Sequence, residues 1–514
     1  MSIYDDMPWQ LGRQAAKTPD KPALVMARSG EVVTYRELEE RSSQFANLLL
    51  ATGLKPGDHM AMMMENHVRF YEILWGTQRV GMYHTPVNWH LTAAEAAYIV
   101  NNCEAQVFVT SQRLAPVAGP IGAETAAVKL RLMVDGTIDG YDAYEAALAA
   151  QPTSYPPADT SLEGSAMFYS SGTTGRPKGI LRPLTGLPYG SFNPSEVFST
   201  SFEFDENTIY LNPAPLYHAA PNHWSAMTQR MGGTTIVMES FDPEEALALI
   251  EKHRITHAQF VPTMFVRMLK LPEEVRRRYD VSSLKFAIHA AAPCPVEVKR
   301  QMIEWWGPVI YEYFAASEGG WVTIAPEEWL AHPGSVGKPA GNIRILDDDL
   351  NEVPQGTAGV IYFEGAQFNY HNDPDKTTSA YAREGLATVG DIGYVDPDGY
   401  LFLTDRRDHM IISGGVNIYP QEAENVLIEH PKVMDAAVIG VPNEEMGEEV
   451  KAVVQLVDPS TASDELAAEL ITYCRQHLTH YKCPRTIDFR TELPRLPTGK
   501  LLKRVLRDEY RNAS

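Results

Sequence analysis

Thr34-Tyr35-Arg36-Glu37 places a hydroxyl three residues ahead of a carboxylate, the pattern of a capping box that satisfies the first free amides of a helix. Leu38, Phe45, Leu48 and Leu49 then keep helical spacing, and Gly53 is a fitting stop. Pro56-Gly57 turns the chain into His59–Met64, an apolar run that reads as a buried strand whose methionines are core packing. Ala105–Thr110 reads as another strand, so the first third predicts βαβ units and a parallel sheet. The Pro/Gly-rich span from Gly334 to Gly365, with Val360–Phe363 among its short β signals, predicts a β-rich subdomain. After the charged stretch Asp405–Asp408 the pattern becomes α+β. It predicts a helix around Gln421–Glu429, strands at Ala436–Val441 and Val450–Val457, and a helix near Asp464–Leu478 with Leu470, Cys474 and Leu478 on one face. The expected fold is α/β with a β-rich subdomain: a large N-terminal domain over 1–407 and a small α+β domain over 408–514, joined near Asp408.

Composition narrows the function. With 514 residues, 44% apolar and 21% charged, the chain is an ordinary globular protein. Its formal charge of −22 argues against a nucleic-acid partner, which would need a basic face. No apolar run approaches the roughly 18–20 residues of a membrane span, so no integral membrane segment is expected. The start, Met1-Ser2-Ile3-Tyr4-Asp5-Asp6, lacks the basic and apolar regions of a signal peptide. Cys103, Cys294, Cys474 and Cys483 show no paired spacing, which suits a reducing, cytoplasmic location.

The densest chemical signal is Tyr169-Ser170-Ser171-Gly172-Thr173-Thr174-Gly175-Arg176-Pro177-Lys178-Gly179. Its glycines, hydroxyls and lysine make a donor-rich loop able to wrap phosphate oxygens. It is not a Walker A loop, because Lys178 follows a proline and no Ser or Thr follows it. Asp347-Asp348-Asp349 precedes a turn and reads as solvated. His84, His90, His218 and His223 have no zinc-type spacing, and no nucleophile-elbow frame surrounds Ser170 or Ser171.

The order of this loop resembles the phosphate-binding loop of the adenylate-forming superfamily, which includes acyl-CoA synthetases, and further motifs follow collinearly. Pro215-Leu216-Tyr217-His218 resembles the segment carrying the aromatic gate, and Ala290-Ala291-Ala292-Pro293 the loop along the adenine. Glu312-Tyr313-Phe314-Ala315-Ala316-Ser317-Glu318 resembles the Tyr-Gly-x-Thr-Glu segment, with Phe314, Ala315 and Ser317 replacing Tyr, Gly and Thr. Gly390-Asp391 matches the ribose aspartate, Arg406-Arg407-Asp408 the ribose arginine and hinge, Ser413-Gly414-Gly415 and Asn417 the next turn, and Pro497-Thr498-Gly499-Lys500 the catalytic lysine motif.

The resemblance implies a two-step ligase with ATP and CoA as co-substrates and Mg²⁺ as cofactor. A carboxylate attacks the α-phosphate to give an acyl-adenylate and pyrophosphate, and the CoA thiol then displaces AMP. It implies a mobile C-terminal domain hinged at Asp408. Ser170, Ser171, Gly172, Thr173, Thr174, Gly175 and Lys178 would surround the phosphates, Glu318 the Mg²⁺, and Lys500 the carboxylate and α-phosphate. Ala291, Ala292, Pro293, Glu312, Phe314 and Ser317 would receive the adenine side, Asp391 and Arg406 the ribose. Ser413, Gly414 and Gly415 would line the CoA path, and His218 would gate it.

The acyl group is expected against His218, Ala219, Ala220, His223, Trp224, Ala290, Ala315 and Ala316, with Phe260–Phe265 nearby. Small alanines beside aromatics leave room for a sizeable apolar acid, medium- or long-chain fatty, aryl or cyclic. No acid lies within Ala219–Trp224 to pair with a substrate ammonium. Three other readings stay open: transfer to an amine or carrier protein, a luciferase-like oxidase, and an inactive acyl- or nucleotide-binding regulator. Homodimerisation also stays open.

Overall fold

The computed structural model describes residues 10–156, 162–170, 176–191, 201–339, 341–495 and 501–512. The chain divides into two compact units. Unit 1 comprises Met1–Gln259, Ser283–Phe286 and Gln367–Ser379; unit 2 comprises Phe260–Ser282, Ala287–Ala366 and Ala380–Ser514. Asp408, read from sequence as a domain junction, lies within unit 2 on the short turn Arg407–His409.

In unit 1 the capping box forms as expected: Thr34 accepts from the Glu37 N–H, Glu37 accepts from the Thr34 N–H, and the helix runs Tyr35–Ala51. It packs on the helix Val68–Gln78, where a Cβ on Gly76 would stand 2.8 Å from the Phe45 ring, so only glycine allows that approach. His59–Met63 is a strand buried throughout, its methionines in the core. It pairs in parallel with Tyr83–Pro86 and Val107–Ser111, inside a six-stranded sheet completed by Leu130–Val134, Asp142–Ala143 and Ser165–Ala166. The expected strand at Ala105–Thr110 is thus shifted by two residues at its start and one at its end. A second set, Ile209–Asn212, Thr234–Val237 and Pro22–Met26, is also parallel, with Val32–Thr34 antiparallel at the edge. A small antiparallel sheet joins Phe168–Ser170, Lys178–Leu181 and Asn369–Tyr370.

In unit 2, Ala287, Ile288 and His289 of the strand Phe286–His289 pair in parallel with Ile310–Ala316, which turns back antiparallel into Gly319–Ile324. The β-rich expectation is met by an antiparallel sheet that extends past Gly365: Ser335–Gly337, Leu401–Arg406, Asp391–Val395, Gly359–Glu364, Leu386–Ala387 and Tyr381–Arg383 in order, with Ile343–Leu346 beside Gly359–Glu364. The triple aspartate is a solvated turn, with Asp347 accepting the Asp349 and Asn351 amides. Beyond Asp408 come the helix Pro420–Glu429, the long hairpin Val433–Asn443 and Gly447–Leu456, the helix Asp464–His477 and the strand Thr486–Arg490. Leu470 and Cys474 are buried in that core, with Leu478 packed at its edge.

Candidate adenylation site

Unit 1 carries the phosphate and gate motifs. Ser170 and Lys178 are direct cross-strand partners at the two ends of segment 171–175. Ser171, Gly172, Thr173, Thr174 and Gly175, like Lys500, lie outside the described residues. The Lys178 ammonium stands 5.7 Å from the Tyr370 ring, supplied by the strand Asn369–Tyr370 from far along the chain. Tyr169 donates to Asn102 at 2.5 Å, which anchors the base of this hairpin.

His218 caps the helix Ala219–Arg230 from an extended conformation, with its ring tilted 4.3 Å from that of Tyr217. Its Nε2 is buried and has no hydrogen-bond partner among the described residues. Burial, assisted by nearby His90, pulls its pKa down to about 3, so the ring is neutral at neutral pH. A neutral ring is cheaper to move between apolar and wet surroundings than an imidazolium. Ala219, Ala220 and His223 are partly exposed. Burial beside Arg230 and Arg182 takes His223 down to about 4. Trp224 is fully buried, edge-on to Phe202 at 5.2 Å and stacked on Phe204 at 5.4 Å, so its indole belongs to the core beneath this helix.

In unit 2, Ala290 is buried directly after the strand Phe286–His289. Ala291 follows with φ 75°, a left-handed conformation that costs a non-glycine residue on the order of 1 kcal/mol. Ala292 is half-buried and Pro293 exposed. Glu312 and Phe314 share one face of the strand Ile310–Ala316, because alternate residues point the same way. Glu312 is buried, whereas Phe314 is half-buried and tilted against Phe363 at 6.0 Å. Ala315 is exposed, and Ala316, Ser317 and Glu318 are half-buried where the strand turns. Gly320, at φ 72°, lets that turn close on Phe363, whose ring a Cβ would strike.

Asp391 and Arg406 are cross-strand partners, and Arg406 Nε donates to Asp391 Oδ1 at 2.9 Å. Asp391 Oδ2 accepts no hydrogen bond among the described residues. Two positions fifteen residues apart in sequence therefore meet as one hydrogen-bonded pair with an acceptor to spare. Ser413, buried, and the exposed Gly414 and Gly415 make the hairpin turn between Ile411–Ser413 and Val416–Ile418, with left-handed φ of 56° and 79° at the glycines. The Asp408 carbonyl accepts from Arg507 at 2.8 Å.

One residue at this site escaped the sequence reading. Lys299 is fully buried in the helix Val296–Trp306, and its ammonium bonds Glu312 Oε2 at 2.6 Å. The available signal was its place on an apolar stripe, Lys299, Met302, Ile303, Trp306, where a charge needs a partner. Among the described residues one group of potential metal ligands, His332, Asp396 and Asp398, brings its ligand atoms within 4.8 Å. Asp396 there already closes its own loop by accepting the Asp398 and Tyr400 amides. No described helix is long and apolar enough to cross a membrane.

Residues 11–369 match the family model described as AMP-binding enzyme, and residues 422–500 match the AMP-binding enzyme C-terminal domain. The first match alone spans more than half of the chain, which therefore belongs to the AMP-binding enzyme family. Among its relatives, a feruloyl-CoA synthase of Amycolatopsis is 32% identical over 506 residues, covering 97% of this chain and 98% of the relative. A long-chain-fatty-acid–CoA ligase of Mycobacterium tuberculosis is 29% identical over 508 residues, 98% of each chain. The solved structure of an anthranilate CoA ligase with anthranoyl-AMP superposes with a TM-score of 0.87, covering 100% of this chain and 98% of that one; at 24% identity it shows the shared fold. The reading of the sequence as an adenylate-forming acyl-CoA synthetase agrees with these relatives.

Proposed function

We propose that this chain activates a hydrophobic carboxylic acid with ATP, as an acyl-adenylate, and transfers the acyl group to CoA with release of AMP and pyrophosphate. Beyond the family match, the observation that carries this reading is the Asp391–Arg406 pair. Arg406 fixes one carboxylate oxygen and leaves the other to accept from vicinal ribose hydroxyls, the group common to every adenylate.

Bringing a carboxylate to a polyphosphate demands positive charge around the transferring phosphorus. Lys178 supplies part of it at the base of the loop, with the Thr173 and Thr174 hydroxyls for the departing phosphates. Glu318, half-buried in the strand turn, offers the hard carboxylate oxygens that Mg²⁺ takes, and it is the residue that would hold the ion. Bound Mg²⁺ adds charge neutralisation at the phosphates. Lys500 would bridge carboxylate and α-phosphate, where a compact ammonium serves both. Lys500 and the CoA thiol need the same space at different times, which rotation of residues 408–514 about Asp408 would provide. Neutral His218 would swing to admit the thiol. Reliance on ATP and CoA, together with four free cysteines, favours a cytoplasmic location.

The test is a panel of fatty, aryl and cyclic acids assayed with ATP, with and without CoA. Expected are an acyl-CoA thioester, AMP and pyrophosphate, each dependent on the acid. Turnover driven by amines without CoA would overturn the choice of acceptor.

A further inference from the structure

Within unit 2, two hydrogen bonds join residues before Asp408 to residues beyond it, and rotation about Asp408 must break both. The first is a helix cap. Asp405, near the end of the strand Leu401–Arg406 and with its side chain 3% exposed, accepts the Gln421 N–H through Oδ2 at 3.0 Å. Gln421 is the second residue of the helix Pro420–Glu429, whose own N-cap, Tyr419, makes no side-chain bond. The helix therefore takes its cap from the other side of the hinge. Oδ1 of the same carboxylate accepts the Arg406 N–H at 2.7 Å and meets His409 Nδ1 at 3.2 Å. The second bond comes from Lys270, which follows the helix Pro262–Leu269. Its ammonium donates to the Val433 carbonyl at 2.8 Å, where the strand Val433–Asn443 begins. Lys270 is half-buried, no carboxylate pairs with it among the described residues, and burial draws its pKa down. Water would replace such a bond on opening, so its net gain is small and it biases an orientation without locking it. In this orientation Gly414 and Gly415 are exposed, and Ile412 and Val416 beside them are 50% and 44% exposed. The turn proposed for the CoA path thus stands in solvent with apolar side chains that gain by being covered.

We infer that Lys270 is a positioning residue: its bond to the Val433 carbonyl latches the segment beyond Asp408 in the orientation of the adenylation step, and its release accompanies the change to thioester formation. The inference rests on the rotation proposed above and deepens it. Adenylation needs no CoA, so an orientation that leaves the Gly414–Gly415 turn in solvent serves the first step. Thiol attack needs that turn covered, and covering it requires movement about Asp408. The Asp405 cap breaks in the same movement, but its carboxylate also holds the amide of Arg406 beside the proposed ribose site, so it cannot be changed without touching the nucleotide. Lys270 can be changed alone. Lys270→Met keeps a long apolar stem and removes the donor, whereas Lys270→Arg keeps a donor. A lysine that only propped the fold would alter both steps alike.

The experiment compares two single-turnover rates: pyrophosphate release from acid and ATP, and thioester formation when CoA is added to the enzyme-bound adenylate. In Lys270→Met the ratio of thioester to adenylation rate should rise about tenfold, the scale of one hydrogen bond from a charged group, and Lys270→Arg should return it most of the way. An unchanged or lowered ratio in Lys270→Met, or the same ratio in both variants, overturns the inference. A second measurement needs no variant. Acetylation of Lys270 by N-hydroxysuccinimide acetate, read by peptide mass spectrometry on wild-type enzyme, should be slow with acid and ATP. It should become about tenfold faster once desulfo-CoA, which has no thiol to discharge the adenylate, is added. Equal labelling in the two states overturns the inference even if neither variant folds. Small-angle scattering of the same two samples separates the readings. A changed profile with unchanged labelling leaves the rotation standing and removes the latch, whereas an unchanged profile overturns the rotation and this inference with it.

Discussion

Two buried ion pairs, one in each unit, differ in how their carboxylate oxygens are used. In unit 1, Arg230 is paired with Glu163, whose second oxygen accepts the Gly190 N–H at 2.7 Å, and the guanidinium also lies 5.0 Å from the Trp75 ring and 3.2 Å from the Gln78 side-chain oxygen. Both of the carboxylate's oxygens are used within the fold. Arg79 and Glu39 nearby repeat the pattern with two parallel bonds of 2.9 and 2.8 Å, and Ser42 and Ser43 complete the guanidinium. In unit 2, Lys299 satisfies one oxygen of Glu312 and none of the described residues satisfies the other. The first arrangement uses every carboxylate oxygen within the fold, and the second leaves one oxygen of Glu312 without a bond among the described residues.

The scaffold side of this comparison is tested hardest by acid. Burial holds His59, His223 and His257 down to about 4, and His84 and His218 down to about 3, all in unit 1. The unfolded chain takes up protons at about 6.5 while the folded one does not, so stability is full above that pH and falls as pH drops from 6.5 towards 4. The loss reaches on the order of several kcal/mol over five sites by pH 5, read as a falling urea midpoint. A flat midpoint between pH 7.5 and 5 would contradict the neutral burial of these rings.

Next in size, Arg230→Met strands a buried Glu163 and should remove about 3–5 kcal/mol of stability, again by urea unfolding. In unit 2, Lys299→Met/Glu312→Gln removes both charges together, strands neither, and should cost less than about 2 kcal/mol. Equal destabilisation by the two would show that stranding a buried carboxylate costs no more than removing the pair. Asp391→Asn keeps an acceptor for Arg406 but loses the charged one proposed for the ribose. It should raise the KM for ATP about tenfold in pyrophosphate exchange and leave the urea midpoint within about 1 kcal/mol.

What was legible beforehand follows the same line. Short-range chemistry reads directly: the capping box at Thr34, the buried methionine strand, and the Asp391 and Arg406 motifs are patterns of neighbouring residues. Partners brought together by tertiary pairing do not. Strand Asn369–Tyr370 joins the hairpin of Lys178 through contacts nearly two hundred residues apart, and nothing local at Gln367–Ser379 marks it as part of unit 1. Lys299 belonged to no motif, and a helical stripe shows which face is buried but not what waits there. Trp224, expected against the acyl group, is claimed by Phe202 and Phe204, partners equally invisible from its own surroundings.

The most direct measurement of the central claim is exchange of labelled pyrophosphate into ATP without CoA. The account predicts exchange that requires a hydrophobic acid and Mg²⁺, proceeds without CoA, and is followed by thioester formation when CoA is added to the enzyme-bound adenylate. Exchange that needs no acid, or an adenylate that CoA cannot discharge, would contradict it.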